Sequence, residues 1–446
     1  MTDRLYLVVS KLVKQNWAPL LVIGLFSLSL NLIHQTLFPN LSPFDEGPHI
    51  DYVHSIQELE FPRRGNVYQQ ESLRAWACRG GFSADLVFEG CDATNLDPSD
   101  FPDGGIQRLK HPPIYYVITA AVSEGVSTIG GVSTVFGARL AGALFSFVGL
   151  GSVFLSAATY LEHRKWLFLS VLLALTASTF TAFHSLSTVN NDAGVFALGG
   201  IGVLLAATLK DSKKYWPFVL FAAIAGLTKN TAVVPVAALS VFMMLWRTAR
   251  AGFDWRRIAF TVVKFGSLPL VTGIVVLLWE QLALFLEVPG FVNPIGRGNT
   301  TLVDGLPFDE IASTAFDLAP PSRLNFVPSI YTGQWLRPIH TLIGALIFIS
   351  VGHSLANKSA LIRTSALTLV AGILMAPIMA NSVTAVSGGQ SSFFATVPTR
   401  YAVGLLPLSF LVVAVFAARS LPKPILLGIV AVLFAGSTLV HLTGII

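Results

Sequence analysis

The sequence predicts an all-α polytopic membrane protein, and three observations predict it. Of 446 residues, 53% are hydrophobic and only 12% charged, about half the charge of a soluble domain. Apolar stretches recur from end to end, each near the ~20 residues a helix needs to cross a hydrocarbon core. Lysines and arginines gather on alternate connections, at Arg4/Lys11/Lys14, Arg164/Lys165, Lys210/Lys213/Lys214, Arg247/Arg250/Arg256/Arg257, Lys358/Arg363 and Arg419/Lys423, and nearly all acids fall on the others. The positive-inside rule assigns the basic connections to the cytoplasm, which puts the amino terminus inside and gives roughly eleven crossings with the carboxyl terminus outside. The net charge of +5 therefore reports topology rather than a nucleic-acid partner.

The first apolar segment, about 17–38, follows Lys11 and Lys14. Its length and the lack of a small-x-small site after it predict a retained anchor rather than a signal peptide. Next comes a long, polar, acid-rich loop, 39–133, expected on the extracytoplasmic side with interfacial helices. It holds both cysteines, Cys78 and Cys91, and a disulfide closing that short loop is expected in an oxidising compartment. Near its end, His111-Pro112-Pro113-Ile114-Tyr115-Tyr116 reads as a helix start, and Glu124 interrupts the apolar run that follows, so an interfacial helix is expected there rather than a crossing.

Further spans are expected at about 134–161, 166–187 and 193–209. The stretch 215–247 reads as two short helices broken near Thr228-Lys229-Asn230, and a span follows at 258–285. A second long extracytoplasmic loop, 286–335, carries Asp304, Asp309, Glu310 and Asp317, and the last spans cover 336–356, 364–381, 401–418 and 424–446. No internal repeat is evident, unlike the paired halves of many secondary transporters. The whole chain, 1–446, reads as one transmembrane domain.

Polar groups collect where spans meet the extracytoplasmic side. Asp45-Glu46 stands in Ser42-Pro43-Phe44-Asp45-Glu46-Gly47-Pro48-His49, where two prolines and a glycine predict a fixed turn at the membrane surface. Asp192, in Thr188-Val189-Asn190-Asn191-Asp192, suits a helix cap. Lys229 lies in the apolar context Gly226-Leu227-Thr228-Lys229-Asn230-Thr231, where an ionisable group is costly and points to function or pairing. Arg139, just inside an apolar run, reads equally as a snorkelling cation. Arg400-Tyr401 follows a polar stretch and marks the same side. Cations converging there suit a lipid phosphate. His49, Asp51 and His54 have spacing compatible with a metal, and equally with plain loop polarity. No phosphate-cradling glycine loop or hydrolase nucleophile elbow is present, so nucleoside-triphosphate and Ser-His-Asp chemistry have no support.

In order and common side, these residues resemble the GT-C superfamily of polytopic glycosyltransferases, in particular the protein mannosyltransferase and aminoarabinose-transferase type. The features are Asp45-Glu46 with His49, His111 to Tyr116 before the helix bearing Arg139, Asp192, Lys229, and Arg400-Tyr401. The resemblance implies an inverting transfer of a sugar from a polyprenyl-phosphate-linked donor to a hydroxyl of a glycan, lipid or protein acceptor. It implies a multi-pass enzyme of the cell envelope, expected in a bacterial plasma membrane, with its active site extracytoplasmic. Asp45 is then the general base, with Glu46 sharing or supporting that role. Lys229, Arg139, His111 and Arg400 are candidates for the donor phosphate, and Asp192, His49, Tyr115, Tyr116 and Tyr401 for substrate. No cofactor is required; a divalent metal, with Asp45, His49 and Asp192 as candidate ligands, is compatible with the chemistry. A membrane transporter or lipid flippase is the alternative, since it too places charge among helices.

Overall fold

The computed structural model describes residues 10–42, 46–80, 91–92, 95–158, 161, 163–252, 254–291, 302–303, 336–387, 393–394 and 399–443. Its α-helices are α1 Trp17–Leu37, α2 Glu46–Gln57, α3 Gln70–Arg79, α4 Ile114–Gly130, α5 Thr134–Ala158, α6 Lys165–Ser178, α7 Phe180–Ser185, α8 Asp192–Leu209, α9 Trp216–Gly226, α10 Val233–Ala251, α11 Trp255–Phe285, α12 Leu336–Ala356, α13 Ala360–Ser387, α14 Leu406–Ser420 and α15 Lys423–Thr443. Two short strands, β1 Leu302–Val303 and β2 Phe393–Phe394, pair antiparallel with Leu302 opposite Phe394.

Among the described residues seven helices are long and apolar enough to cross a membrane, and shorter apolar helices, α6, α9, α12 and α15, occupy the other expected spans. The protein is an integral, multi-pass, all-α membrane protein. Its helices turn apolar side chains outward, as a lipid-solvated bundle must. On α1, Leu21, Leu25, Leu28 and Leu32 are exposed while Ser27, Asn31, His34 and Gln35 are buried, the reverse of a soluble amphipathic helix. The buried polar face bonds across the bundle, with Ser27 Oγ 2.9 Å from Ser146 Oγ on α5. On α11, Phe260, Val263, Leu270 and Leu278 are likewise exposed.

Close backbone approach sets the centre of the bundle. A side chain at Gly200 of α8 would overlap the backbone of Gly149 on α5, so small residues bring these helices together where lipid offers no hydrophobic drive for association.

Three local expectations are corrected. Asp45-Glu46 is not followed by a turn: α2 begins at Glu46 and runs through Gly47 and Pro48, since proline is tolerated in a first helical turn. Gly47 is required because a Cβ there would overlap the Trp76 indole. The span expected at 166–187 is broken at Thr179, which is extended (φ −92°, ψ 104°). Ser178 and Thr179 there turn their hydroxyls onto Ala174 O and Leu175 O, a bond that competes with regular helix. Asp192 does not cap α8: it is the first helical residue, and Asn191 at the cap makes no side-chain capping bond.

Elsewhere expectation and structure agree. The 215–247 region is divided by Leu227 to Lys229 between α9 and a 3-10 turn at Asn230–Ala232 that leads into α10. Helix α4 buries Tyr115, Tyr116, Thr119, Ala120 and Ser123 along one side, the pattern of a helix lying on a surface. Cys78 and Cys91 form a disulfide with Cα atoms 4.5 Å apart. The end of the bundle carrying α2, α3 and α4 is called the loop end below, and the opposite one, with Arg164 and Arg419, the basic end.

Candidate active site

Glu46 and Arg139 form a saturated buried pair. Both side chains are fully buried. Arg139 Nε and Nη2 donate to Glu46 Oε1 and Oε2, each at 2.8 Å, the two-point geometry that suits guanidinium and carboxylate. Arg139 also donates to Phe38 O at 2.9 Å and Asn40 O at 2.7 Å. Glu46 in turn accepts from the backbone N–H of Ser42 at 2.6 Å and of Val189 at 2.9 Å. Burial alone would push the Glu46 carboxyl up, but the Arg139 charge and the hydrogen bonds from Arg139, Ser42 and Val189 outweigh it and hold the group below the usual carboxylate range. Asn31 braces the arrangement from α1, donating to Arg139 O at 2.7 Å and Leu186 O at 3.2 Å.

The second buried pair is wired differently. Lys229 Nζ donates to Asp192 Oδ1 at 2.6 Å, with the aspartate fully buried and the lysine nearly so. Lys229 also lies over the Tyr401 ring at 5.7 Å. Among the described residues no hydrogen-bond partner meets Asp192 Oδ2, either polar atom of the Asn191 side chain, or Thr231 Oγ1, all of them buried. Unsatisfied polar atoms at such density are uncommon inside a protein, and here they belong to the pair and its chain neighbours.

Local chain geometry explains how Lys229 reaches this point. The break after α9 leaves Lys229 extended (φ −164°, ψ 149°) and frees Leu227 O, which accepts from Ile114 N at 3.1 Å. The start of α4 is thereby docked on the break that carries the lysine. Gly194, half a turn into α8 from Asp192, admits this packing, since a Cβ there would meet Thr228 Cγ2 at 2.8 Å and Tyr115 Cδ2 at 3.5 Å.

Beside the pair stands a stack of rings. Tyr52 and Tyr116 are 3.8 Å apart at 15°, and His49 stacks on His111 at 5.6 Å and 9°. His49 Nδ1 is 2.6 Å from Tyr116 Oη, and Tyr52 Oη donates to His111 O at 2.9 Å. Tyr115 meets Tyr116 edge-on at 5.1 Å. The loop is fastened to the end of α11 by Lys110–Glu280 at 2.5 Å, Arg64–Glu287 at 2.8 Å and Trp279 Nε1 to Lys110 O at 2.8 Å.

The structure thus brings Asp192, Lys229, Tyr115 and Tyr401 together, joins them to Glu46 and Arg139 through the segment Val189 to Asp192, and places His49, His111 and Tyr116 in the adjoining stack. Asp45 lies outside the described residues, and of Arg400 only the backbone, in the 3-10 segment Thr399–Leu405, is described. His49, Asp51 and His54 do not form a ligand set. Asp51 accepts from Gln69 N and Gln107 Nε2, and His54 Nδ1 lies 2.8 Å from Ser72 Oγ, both away from the His49 stack. Among the described residues no three metal-binding side chains converge. Burial pushes the Asp51 carboxyl up to about 6 and the His54 imidazole down to about 4.

Sequence reasoning missed Asn191, Thr231 and Tyr52. The first two flank the acid and the lysine it singled out, so proximity in sequence was the available signal. Tyr52 carried none, because its role depends on α2 facing α4.

No protein-family model matches the chain, and no curated protein matches it. Two solved structures are similar to it. ArnT from Cupriavidus metallidurans bound to undecaprenyl phosphate shares 13% identity at a TM-score of 0.49, over 98% of this chain and 63% of that one. ArnT from the same organism in the apo state shares 14% at a TM-score of 0.47, over 95% and 61%. The chain thus spans less than two thirds of the ArnT chain to which it is similar.

Proposed function

We propose that this protein is a GT-C-type glycosyltransferase that moves a sugar from a polyprenyl-phosphate-linked donor to an acceptor hydroxyl at the loop end, on the extracytoplasmic side. The observation that carries the reading is the Asp192–Lys229 pair, buried yet left with Asp192 Oδ2 unpartnered. A charge pair kept in a bundle interior with an acceptor oxygen open is suited to a polar ligand. Its position at the first turn of α8 favours chemistry at one membrane surface over a pathway through the middle, as a transporter needs.

In this reading Asp45 takes the proton from the acceptor hydroxyl as its oxygen bonds the anomeric carbon. The bond from that carbon to the phosphate oxygen breaks, and polyprenyl phosphate leaves with the electron pair. Lys229, with His111 and Arg400, offsets charge growing on the phosphate. Asp192 orients the acceptor or sugar through its open oxygen, and Tyr115, Tyr116, Tyr401 and His49 shape the site. Of the two roles the resemblance leaves Glu46, this reading takes the supporting one, and it moves Arg139 from the donor phosphate to the same task. Their hydrogen bonds are engaged with each other and with backbone, so we assign them as positioning residues. The clamp holds Ser42 and Val189, and therefore the chain entering Asp45 and the chain entering Asp192, to one carboxylate.

The test is sugar transfer from a panel of radiolabelled polyprenyl-phosphate sugars in membranes containing the native chain or Asp45→Asn at matched expression. Transfer by the native chain and its loss in the variant are expected. Equal transfer by both removes Asp45 from the mechanism, and no transfer from any donor overturns the proposal.

A further inference from the structure

A cavity of about 100 Å3 lies inside the bundle, away from the loop end, between α5, α8, α10, α12, α13 and α14. A single water needs only about 10–15 Å3 by the same measure, so the space is substantial. Its walls are hydrocarbon. Small residues, Gly202 and Ala238 among them, form part of the lining, and Leu408 and Val412 another part. Of the five hydroxyl side chains that line it, Ser354 and Ser359 stand toward the basic end, and the other three are engaged within their own helices. Ser156, Ser365 and Thr368 donate to the carbonyls four residues back on their own helices, Ser152 O, Leu361 O and Thr364 O. A water there would find few partners, and an apolar guest would find a matching wall.

The two ends of the cavity differ. Toward the candidate active site it is closed by tight packing, since a Cβ on Gly404 would come within 2.8 Å of Pro235 and 3.0 Å of Val195. At the other end stands Arg419, exposed at the last turn of α14. More cations surround that mouth. Arg164 Nη1 donates to Ala418 O and Arg419 O at 2.7 and 3.2 Å, and Lys358 on the connection between α12 and α13 and Arg363 in the first turn of α13 are exposed. From Gly404 to Arg419 the chain is almost wholly α14, so the cavity extends about 22 Å along the bundle, more than half of the ~30 Å hydrocarbon core.

We propose that this cavity is a lipid site: it takes one acyl chain of an anionic diacyl phospholipid from the leaflet at the basic end, with the phosphate against Arg419. The closed inner end favours a chain entering from the basic end over the polyprenyl chain of a donor held near Lys229. The cationic mouth selects an anionic headgroup, as basic residues at a membrane surface do. The site is separate from the proposed transfer reaction and stands whether or not that reaction is the right one.

Photolabelling tests it in the full-length protein, reconstituted in phosphatidylcholine vesicles doped with phosphatidylglycerol carrying a diazirine near the end of one acyl chain. Labelling on the inner stretches 199–206 and 404–412 is expected, competed by unlabelled phosphatidylglycerol but not by phosphatidylcholine. Ala238→Phe, which fills the cavity, should abolish it. Arg419→Gln, a change at an exposed position, should lower it severalfold and erase the headgroup preference. Labelling confined to the lipid-facing sides of α1 and α11, or undiminished inner labelling in both variants, overturns the proposal. So does competition by polyprenyl phosphate with none by phosphatidylglycerol.

Discussion

Glu46–Arg139 and Asp192–Lys229 are both ion pairs sealed from solvent at the same end of one bundle, yet they are wired to opposite ends. The first has each carboxylate oxygen engaged twice, by guanidinium and by backbone N–H, and the arginine finishes on two carbonyls. The second is joined by one contact, on one oxygen, with the other oxygen open. Burial by itself therefore does not distinguish a structural charge from a working one. The accounting of carboxylate lone pairs separates these two pairs, because a saturated carboxylate has nothing left to offer a ligand.

The largest effect should come from breaking the saturated pair. Arg139→Met leaves a buried carboxylate without its cation and two carbonyls without donors, which should cost on the order of 3–5 kcal/mol of stability. The measurement is the thermal midpoint in detergent. Adding Glu46→Gln should restore only part of the loss, because the backbone N–H groups of Ser42 and Val189 still need two acceptors. Full restoration would mean that the clamp contributes only its own charge balance.

Next comes the open pair. Asp192→Asn should lower sugar transfer by about 10²-fold, the cost of misplacing a bound reactant, with a smaller fall in the thermal midpoint than Arg139→Met produces. A variant that loses as much stability as Arg139→Met while keeping transfer would erase the contrast between the pairs.

The smallest net effect concerns pH. The raised Asp51 means that the folded state holds a proton the unfolded state releases, so its contribution is present at low pH and lost as pH rises through about 6. The lowered His54 acts in reverse, its contribution present at neutral pH and lost as pH falls through about 4. Each shift corresponds to about 3 kcal/mol, and they oppose each other across the same window. The contributions of these two groups should therefore nearly cancel between pH 4 and 6. Asp51→Asn should make native stability fall on acidification and His54→Gln should make it rise. Thermal midpoints across that range decide, and a flat profile in both variants would remove the two groups from the balance.

Much of this was legible in the chain. The spans follow from apolar runs, the break at Thr228 to Asn230 from a lysine that no continuous membrane helix would accommodate, and the grouping of Asp192 with Lys229 from their common end. Sequence could not show that Glu46 and Arg139 would seek each other, because a carboxylate in a loop and a cation inside a span each have an ordinary explanation alone. The cap assigned to Asp192 failed for a related reason. Local preference favoured a capping bond, and a buried ammonium 37 positions away gave its oxygen a stronger partner. The helix starting at Glu46 was hidden by Gly47 and Pro48, which mark turns unless a neighbouring indole demands the glycine.

The Glu46 carboxylate also sets a schedule for biogenesis. Apart from the N–H of Ser42, its partners lie 93 residues ahead at Arg139 and 143 ahead at Val189, so the first loop leaves the ribosome well before its cation arrives. At about 5–20 residues per second the interval to Val189 is roughly 7–30 s. For that time Glu46 must remain hydrated at the membrane surface while two further apolar helices are inserted. The site is closed by the arrival of the chain that follows α7, and a delay in inserting those helices would leave the loop open to proteolysis in an otherwise intact nascent protein.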